Sequence, residues 1–216
     1  MIDFYRKSAI TYFPAEKNLR ILDIGCGMGF LLLALKEAGY TDIKGIDADE
    51  SQVKACNENG LNVIHAGDSF EFLRQQKGQF DVISAFDLIE HIPVNLQIEF
   101  VNLVFEALTE EGKFILTTPN ANSFLASRNR YLDFTHHCLF TEVSLDFVLY
   151  NGGFNNIKIC PFEYVQHTNT VKSIVHKVLL KTFRFFRRLE LISEIGTKVG
   201  KKVPLSFNLI GIATKK

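Results

Sequence analysis

Two acidic side chains and an imidazole stand close together in the stretch DLIEHIP, as Asp87, Glu90 and His91. A second imidazole, His136, follows in the stretch DFTHH. An imidazole titrates near neutral pH, so His91 could serve as a general base. Two carboxylates and two imidazoles could instead hold a divalent cation and leave positions open for a substrate oxygen. A third interpretation is purely structural, with Glu90 and His91 bracing the helix that begins near residue 94.

A glycine-rich loop, DIGCGMG, joins an apolar run to a segment with helical spacing. Gly25, Gly27 and Gly29 allow a tight turn and let a ligand approach the backbone without Cβ atoms in the way. Dinucleotide-binding loops have the spacing GxGxxG, whereas this loop reads GxGxG and carries Phe at residue 30, where the third glycine would stand. The spacing therefore argues against a nicotinamide-dependent oxidoreductase.

The elements around these residues alternate between strand and helix. Apolar runs separated by helix-length segments are typical of βαβ units and of a largely parallel sheet covered on both faces. Such a sheet binds ligands beyond the carboxyl ends of its strands, near the point where the strand order reverses. The loops after the first four strands should therefore build the site. The predicted strands are 20–24, 43–47, 61–65, 80–86, 112–118, 156–162 and 206–214, and the predicted helices are 30–38, 50–58, 95–108 and 141–150.

The set of residues at these strand ends resembles the class I S-adenosylmethionine-dependent methyltransferases over nearly the whole chain. The resemblance implies a Rossmann-like, doubly wound α/β fold: a seven-stranded, mostly parallel sheet with an antiparallel last strand and helices on both faces. It implies S-adenosyl-L-methionine (SAM) as cofactor and S-adenosyl-L-homocysteine (SAH) as product. The residues that match the family's first motif, which wraps the methionine part of the cofactor, are Asp23, Gly25, Cys26, Gly27 and Gly29.

Three further strand ends match cofactor contacts of that family. Asp47, with Ala48 beside it, looks like the acid that accepts both ribose hydroxyls, and a carboxylate does offer two oxygens to a vicinal diol. Asp68, with Ser69 beside it, looks like the residue that contacts the adenine amino group. The pair Phe86-Asp87 looks like the loop that closes over the cofactor and faces the substrate. Taken singly, Asp47 and Asp68 also suit a helix cap or a turn.

The stretch DLIEHIP resembles the branch that contains the ubiquinone-biosynthesis O-methyltransferases and the small-RNA 2′-O-methyltransferases. In the RNA enzymes a motif of the type ExxEH, with a later His, binds a divalent metal, but the first acid here is Asp87. The stretch DFTHHCLFT resembles the DxTH segment of glycan-associated methyltransferases, and His136 matches the later metal His. The metal ligands that this resemblance implies are Asp87, Glu90, His91 and His136. The adjacent His137 has no assigned role.

The resemblance implies methyl transfer to a hydroxyl of a small or glycan-type acceptor, with Glu90, His91 and His136 as the catalytic residues. Because the sulfonium already activates the leaving group, the protein must align the nucleophile with the methyl–sulfur bond and remove its proton. Two alternatives stay open: methylation of an RNA ribose, which the DxxEH…H pattern suggests, and a membrane-associated partner that binds the cofactor without chemistry. Residues 122–137 stand where the family places a substrate lid, and Arg128 and Arg130 within this lid could meet an anionic acceptor or simply be surface charge.

The net charge is zero, but residues 171–216 hold 11 Lys and Arg and only 2 acids. We expect one domain over 1–216, with residues 163–204 forming a basic helical insertion between strands six and seven. Within it, residues 171–192 have the spacing of a basic amphipathic helix. This helix could lie on an anionic membrane surface, bind RNA or another polyanion, or pack on its own domain or a second subunit. Basic residues without interleaved stacking aromatics argue against nucleic acid, and the oligomeric state stays open.

Composition limits the protein class. Hydrophobic residues make up 47% and charged residues 22% of the 216 residues, which excludes a disordered chain, a collagen-like chain and a disulfide scaffold. The 4 cysteines form no CxxC pair, so reduced thiols are expected. The opening MIDFYRKSAITYF lacks the apolar core of a signal peptide. The expected location is the cytoplasm, with contact to the inner face of the membrane if the basic helix binds lipid.

Overall fold

The computed structural model describes residues 2–163 and 171–216, and for residues 171 and 172 it describes the backbone alone. Within these residues seven strands form one mixed sheet in the order β3-β2-β1-β4-β5-β7-β6. Neighbouring strands from β3 to β5 run parallel, whereas β7 is antiparallel to both β5 and β6. The predicted fold, with its antiparallel last strand, is confirmed. The strands are β1 Arg20–Ile24, β2 Asp42–Asp47, β3 Val63–His65, β4 Phe80–Phe86, β5 Leu108–Pro119, β6 Asn156–Phe162 and β7 Asn208–Thr214.

Helices cover both faces of the sheet because alternate strand residues point to opposite sides. Leu22 and Ile83 join a core cluster with residues of the helices that follow β3, β4 and β5, whereas Ile21 and Val82 pack with the N-terminal helices. Each face of the central strands is therefore buried, as continuous apolar runs require. The helices are α1 Ile2–Ser8, α2 Phe30–Glu37, α3 Glu50–Glu58, α4 Ser69–Arg74, α5 Gln97–Ala107, α6 Ala126–Leu132, α7 Glu142–Asn151, α8 Val171–Ile195 and α9 Thr197–Gly200.

The boundaries of β5 differ most from the sequence prediction. The local sequence LTEEGK has the composition of a turn, yet β5 begins at Leu108, which pairs with Phe80 of β4. The register between the two strands then shifts, and Glu111 takes a left-handed φ of 62° within the strand. A long-range pairing thus overrides the local turn signal, because the strand gains backbone hydrogen bonds that the turn would not supply.

The predicted basic insertion contains α8, which covers the predicted helix 171–192 and extends to Ile195. Residues 164–170, which also fall in the predicted insertion, lie outside the described residues. After α8 the chain makes the short helix α9 and returns to the sheet as β7. Among the described residues, no helix combines the length and the apolar character needed to cross a bilayer.

Candidate functional site

A cavity of about 450 Å³ opens at the carboxyl ends of β1 and β2, beside the point between β1 and β4 where the strand order reverses. This is the position that the sheet topology predicts for a ligand, and the volume suits a small molecule. As far as the structure describes the chain, the lining includes no Lys or Arg. The lining residues are Ile24, Gly25, Ile46, Asp47, Ala48, Gln52, Ala66, Gly67, Ser69, Leu88 and His91.

The glycine loop has a left-handed backbone at each of its three predicted glycines. The φ angles are +67° at Gly25, +54° at Gly27 and +70° at Gly29, a region that residues with a Cβ atom enter only at a cost. At Gly29 a Cβ atom would also lie 2.5 Å from Cδ1 of Leu61. Backbone conformation and close packing therefore both require glycine at residue 29.

The carboxylate of Asp47 is fixed at the wall of the cavity. Its Oδ2 accepts a hydrogen bond from the backbone N–H of Gly27 (2.7 Å), and its Oδ1 accepts one from the N–H of Asp49 (2.9 Å). Each carboxylate oxygen can accept a further hydrogen bond, so both remain available to a diol. Ala48, the next lining residue, accepts a hydrogen bond on its carbonyl oxygen from Nε2 of His65 (3.0 Å). The end of β2 is thus rigid before any ligand arrives.

Two predicted cofactor residues, Asp23 and Cys26, are buried and support the loop without lining the cavity. Asp23 accepts a hydrogen bond from Oγ of Ser84 (2.7 Å) on the neighbouring strand. Burial raises the pKa of Asp23 to about 7, and the negative charge of Asp47 adds to this shift. Burial likewise raises the pKa of the Cys26 thiol, so that this residue stays protonated.

The loop after β3 presents Ser69 to the cavity, together with Ala66 and Gly67. Asp68 has another role in the structure: its Oδ1 accepts a hydrogen bond from the N–H of Phe70 (2.8 Å) and so caps α4. Asp68 is not part of the lining, and a contact from its carboxylate to an adenine ring stays a prediction.

Phe86 and Asp87 flank the end of β4 without lining the cavity. The ring of Phe86 packs edge-on against Tyr5, with centroids 5.8 Å apart, on the face covered by the N-terminal helices. Asp87 has a left-handed φ of 50°, and its Oδ1 accepts hydrogen bonds from Oγ1 of Thr117 and Nδ2 of Asn208, each 3.0 Å long. These contacts turn the chain sharply and carry the following residues to the cavity mouth.

His91 lines the cavity and is oriented through a chain of two hydrogen bonds. Its Nδ1 lies 2.7 Å from Oγ1 of Thr135, and this hydroxyl donates its only hydrogen to Oδ1 of Asp133 (2.7 Å). The hydroxyl must therefore accept at His91, so Nδ1 carries the proton and Nε2 is an acceptor. Burial and the neighbouring His136 lower the pKa of His91, which favours the neutral form that a base requires.

His136 has the same tautomer as His91. Its Nδ1 lies 2.7 Å from the backbone carbonyl oxygen of Asn129, which can only accept a hydrogen bond, so Nε2 of His136 is also an acceptor. The two imidazole rings pack edge to face, with centroids 4.7 Å apart. The structure therefore brings together two imidazole rings from residues that are far apart in the sequence.

Glu90 completes this cluster. It is fully buried, and both carboxylate oxygens lack a hydrogen-bond partner among the described residues. Burial, reinforced by the charge of Asp87, raises the pKa of Glu90 to about 8, against a smaller opposing effect of the nearby Thr118 hydroxyl. One ligand atom from each of Glu90, His91 and His136 lies within 4.8 Å of the others, whereas Asp87, the predicted fourth ligand, is not part of the group. An unpaired buried carboxyl is costly, and a bound cation or a polar ligand would remove that cost.

The sequence prediction missed part of the site. Gln52, Leu88, Ala66 and Gly67 line the cavity but carry no signal in one sequence beyond lying just after predicted strands. Thr135 belongs to the DxTH pattern, which by itself assigns this residue no function. The spacing of Thr135 from His136 cannot show that its hydroxyl reaches His91, because that contact joins two distant loops.

The predicted lid contains α6 and is largely exposed. Arg128 is exposed, and the guanidinium of Arg130 lies over the ring of Tyr131, 5.3 Å from its centroid. Neither arginine lines the cavity, so the structure does not place them at the cofactor. Their contact with an anionic acceptor stays a prediction.

Comparison with known proteins agrees with this geometry. The model of a family described as "Methyltransferase domain" matches residues 3–159. The fold is similar to that in a crystal structure of a SAM-dependent methyltransferase from Archaeoglobus fulgidus. The TM-score is 0.74 and the sequence identity 25%, and the match covers 100% of this chain and 95% of the other.

Curated relatives match a smaller part of the chain. A ubiquinone biosynthesis O-methyltransferase of Bartonella tribocorum is 29% identical over 121 residues, which is 54% of this chain and 47% of that protein. The enzyme of the same name from a Caulobacter species is 30% identical over 131 residues, 55% of this chain and 51% of the relative. The chain thus spans about half the length of these relatives.

Proposed function

The chain belongs to the class I SAM-dependent methyltransferase family, and we propose that it transfers the methyl group of SAM to a hydroxyl oxygen. One observation carries the proposal: His91, with its Nε2 free to accept a proton, lines the same cavity as Gly25 and Asp47. A cofactor held by the glycine loop and Asp47 would therefore lie beside a base. Methyl transfer to a hydroxyl requires a base, whereas a protein that only binds the cofactor does not require one.

The charge of the cavity supports a cationic ligand. The described lining contains the carboxylate of Asp47 and neither Lys nor Arg, while Asp23 lies buried behind the glycine loop. A sulfonium is stabilised by the nearby carboxylate of Asp47, and the described lining holds no Lys or Arg that would repel it. The lining thus suits SAM, whereas the preference for SAM over a nicotinamide cofactor comes from the GxGxG spacing, because an acid at the end of the second strand also suits the ribose of NAD.

The reaction needs few groups. The acceptor oxygen attacks the methyl carbon in line with the carbon–sulfur bond, a new carbon–oxygen bond forms, and the bonding pair leaves with sulfur as SAH. Nε2 of His91 takes the hydroxyl proton, and Thr135 and Asp133 hold the imidazole in the required tautomer. The imidazolium then returns its proton to water. The positive charge of the sulfonium and the proton of the hydroxyl are both accounted for.

The donor set also fits a divalent cation. Glu90, His91 and His136 would hold it, because their ligand atoms converge within 4.8 Å and the Glu90 oxygens have no partner among the described residues. Each imidazole donates its Nδ1–H to an oxygen, as metal-binding histidines commonly do. A bound cation would lower the pKa of an acceptor hydroxyl. His91 would then act as a ligand, not as the base.

For the acceptor, we propose a small or glycan-type hydroxyl compound. The matched relatives are named O-methyltransferases, which supports oxygen as the target atom. The stretch DFTHHCLFT supports a glycan, through its resemblance to glycan-associated enzymes, and supplies His136 and Thr135 to the cluster. A glycan hydroxyl has a high pKa, so a base or a cation beside the methyl group would be needed.

The test measures cofactor binding and methyl transfer separately. Isothermal titration calorimetry should show SAH binding and no NAD binding, and failure to bind SAH would refute the proposal. Transfer of a labelled methyl group should then be followed to catechols, sugar nucleotides, lipid-linked sugars and an RNA oligonucleotide. The variant His91→Asn should bind SAH but lose methyl transfer. The control variant His137→Asn changes the exposed histidine next to His136, and it should retain both SAH binding and transfer. Transfer to the RNA alone would establish the ribose alternative instead.

Chelation distinguishes the two proposed roles of Glu90, His91 and His136, in which His91 acts as a base or all three residues hold a cation. If a cation assists, dialysis against EDTA abolishes transfer, and added Mg²⁺, Mn²⁺ or Zn²⁺ restores it in the parent protein but not in Glu90→Gln. If His91 acts as a simple base, chelation leaves the rate unchanged.

A further inference from the structure

The long helix α8 exposes its apolar side chains. Ile174, Val178, Phe185 and Leu189 recur at helical spacing on one face, and their exposed fractions lie between 47% and 58%. An amphipathic helix of a water-soluble domain normally turns such a face to the core. A contiguous apolar surface of this kind marks an interaction site.

Two arginines of α8 contact the segments that flank the helix. Arg188 donates hydrogen bonds from Nη1 to the backbone carbonyl oxygens of Gly200 and Val203, and Arg184 pairs with Glu163 next to β6 (2.5 Å). These contacts hold the helix with its arginines inward. Within the described residues, these contacts leave the face that contains Ile174 and Phe185 uncovered.

Two lysines lie at the edge of the apolar face. Lys177 and Lys181 are exposed, and in the described part of the chain neither forms a salt bridge. By helical geometry both stand next to the row that contains Val178 and Phe185. Their long side chains can lie along an apolar surface while the ammonium groups reach an anionic one.

The side of α8 opposite to Ile174 and Phe185 contacts the lid. The ring of Phe183 packs edge-on against Phe124, with centroids 5.8 Å apart. Beyond Phe124 the lid exposes Leu132 (65%) and Phe134 (101%), and Phe134 immediately precedes the Thr135 that orients His91. The lid thus adds exposed apolar side chains of its own beside the candidate active site.

We propose that α8 binds the surface of an anionic lipid bilayer through its apolar face. The apolar face would enter the region between headgroups and acyl chains, with Lys177 and Lys181 at the level of the anionic headgroups. Charge complementarity favours this occupant over RNA, because the arginines that could track phosphates are already engaged: Arg184 and Arg188 with the flanking segments, and Arg187 with Glu190 of the same helix. The outward apolar face with a lysine rim has the two features that an interfacial helix requires.

The test is co-sedimentation of the full chain with vesicles of phosphatidylcholine alone and of phosphatidylcholine with phosphatidylglycerol. Binding should be detectable on the anionic vesicles and much weaker on the neutral ones. The variant Lys177→Gln/Lys181→Gln should weaken binding to anionic vesicles by about fivefold for each lysine. The variant Val178→Glu/Phe185→Glu should abolish it. Both double variants change exposed residues, and circular dichroism will show whether they remain folded.

A matched control is the variant Val143→Glu/Phe147→Glu, which places the same charges on two exposed apolar residues of α7 (70% and 59%). It should bind vesicles like the parent chain. Equal loss in this control, no vesicle binding by the parent, or a dimer that Val178→Glu/Phe185→Glu converts to a monomer would each overturn the proposal. SAH binding should be unchanged in all variants, so failure of this proposal is distinguishable from failure of the proposed methyl transfer.

Discussion

Nδ1 of His91 lies 2.7 Å from Oγ1 of Thr135, although the two residues are 44 positions apart in the chain. Because Thr135 already donates its hydrogen to Asp133, this contact determines which nitrogen of His91 carries the proton. It leaves Nε2 as the acceptor at the wall of the cavity. Thr135 and Asp133 are therefore positioning residues, while His91 is the group that would touch the acceptor or a cation.

Removing the Thr135 hydroxyl should slow methyl transfer. In Thr135→Val the Nδ1–H loses its acceptor, so the tautomers of His91 mix, and kcat should fall about 10- to 100-fold. Thr135→Ser keeps the hydroxyl and should restore most of the activity. The measurement is kcat and KM for both variants over a range of pH, with SAH affinity as the control for folding. If Thr135→Val keeps the kcat and the pH profile of the parent protein, the hydrogen bonds that connect Asp133 and Thr135 to His91 have no function in catalysis.

Asp47 should govern cofactor affinity. In Asp47→Asn an amide N–H₂ replaces one acceptor oxygen, so this donor faces the N–H of either Gly27 or Asp49, and the ribose diol loses one acceptor. The loss of a charged hydrogen-bond partner should weaken SAH binding by about 10- to 100-fold. Asp42→Asn, an exposed residue at the other end of the same strand, is the matched control and should bind SAH normally. If calorimetry shows that both variants bind SAH with equal affinity, Asp47 does not contact the cofactor.

Two variants can separate the two reasons why residue 29 is glycine, which are its positive φ and its close packing against Leu61. Gly29→Ala and Gly39→Ala both place Ala at a positive φ, +70° and +92°, but only at residue 29 does the new Cβ meet Leu61. Backbone strain should cost roughly 1 kcal/mol in each variant. The clash should add roughly 1–3 kcal/mol in Gly29→Ala. Urea unfolding measures both, and equal destabilisation would show that the loop relaxes around the added methyl group.

The buried Asp23 should make stability depend on pH. Its pKa rises from 3.8 in the unfolded chain to about 7 in the folded protein, so the folded state binds the proton more tightly. The free energy of unfolding should therefore fall as the pH rises between these two values and level off above them. Asp23→Asn cannot ionise and keeps an acceptor oxygen for Ser84, so its stability should fall less over the same range.

This is checked by urea unfolding of the ligand-free protein at about pH 5 and about pH 8. Asp81→Asn is the control, because a hydrogen bond from Arg20 lowers the pKa of Asp81 below its usual value. That variant should lose similar stability at both pH values. Parallel pH dependence in the parent and in Asp23→Asn would contradict the raised pKa.

Much of the fold could be read from the sequence because its signals are local. The strands 20–24, 80–86 and 156–162 have the predicted boundaries, since each is an apolar run ended by residues that favour a turn. The same holds for the glycine loop, where spacing alone separates GxGxG from a dinucleotide motif. The helix α4 was missed because its six residues are too few to show a periodicity.

The candidate site depended on contacts between distant segments. The sequence supplied Glu90, His91 and His136 as residues of suitable chemistry, but only the folded chain shows that they converge without Asp87 and that Thr135 sets the tautomer of His91. The amphipathic pattern of residues 171–192 was likewise evident, yet its orientation was not, because either face of such a helix can pack on a domain. Periodicity determines which residues share a face, whereas tertiary hydrogen bonds and ion pairs, such as those of Arg188 and Arg184, decide which face turns inward.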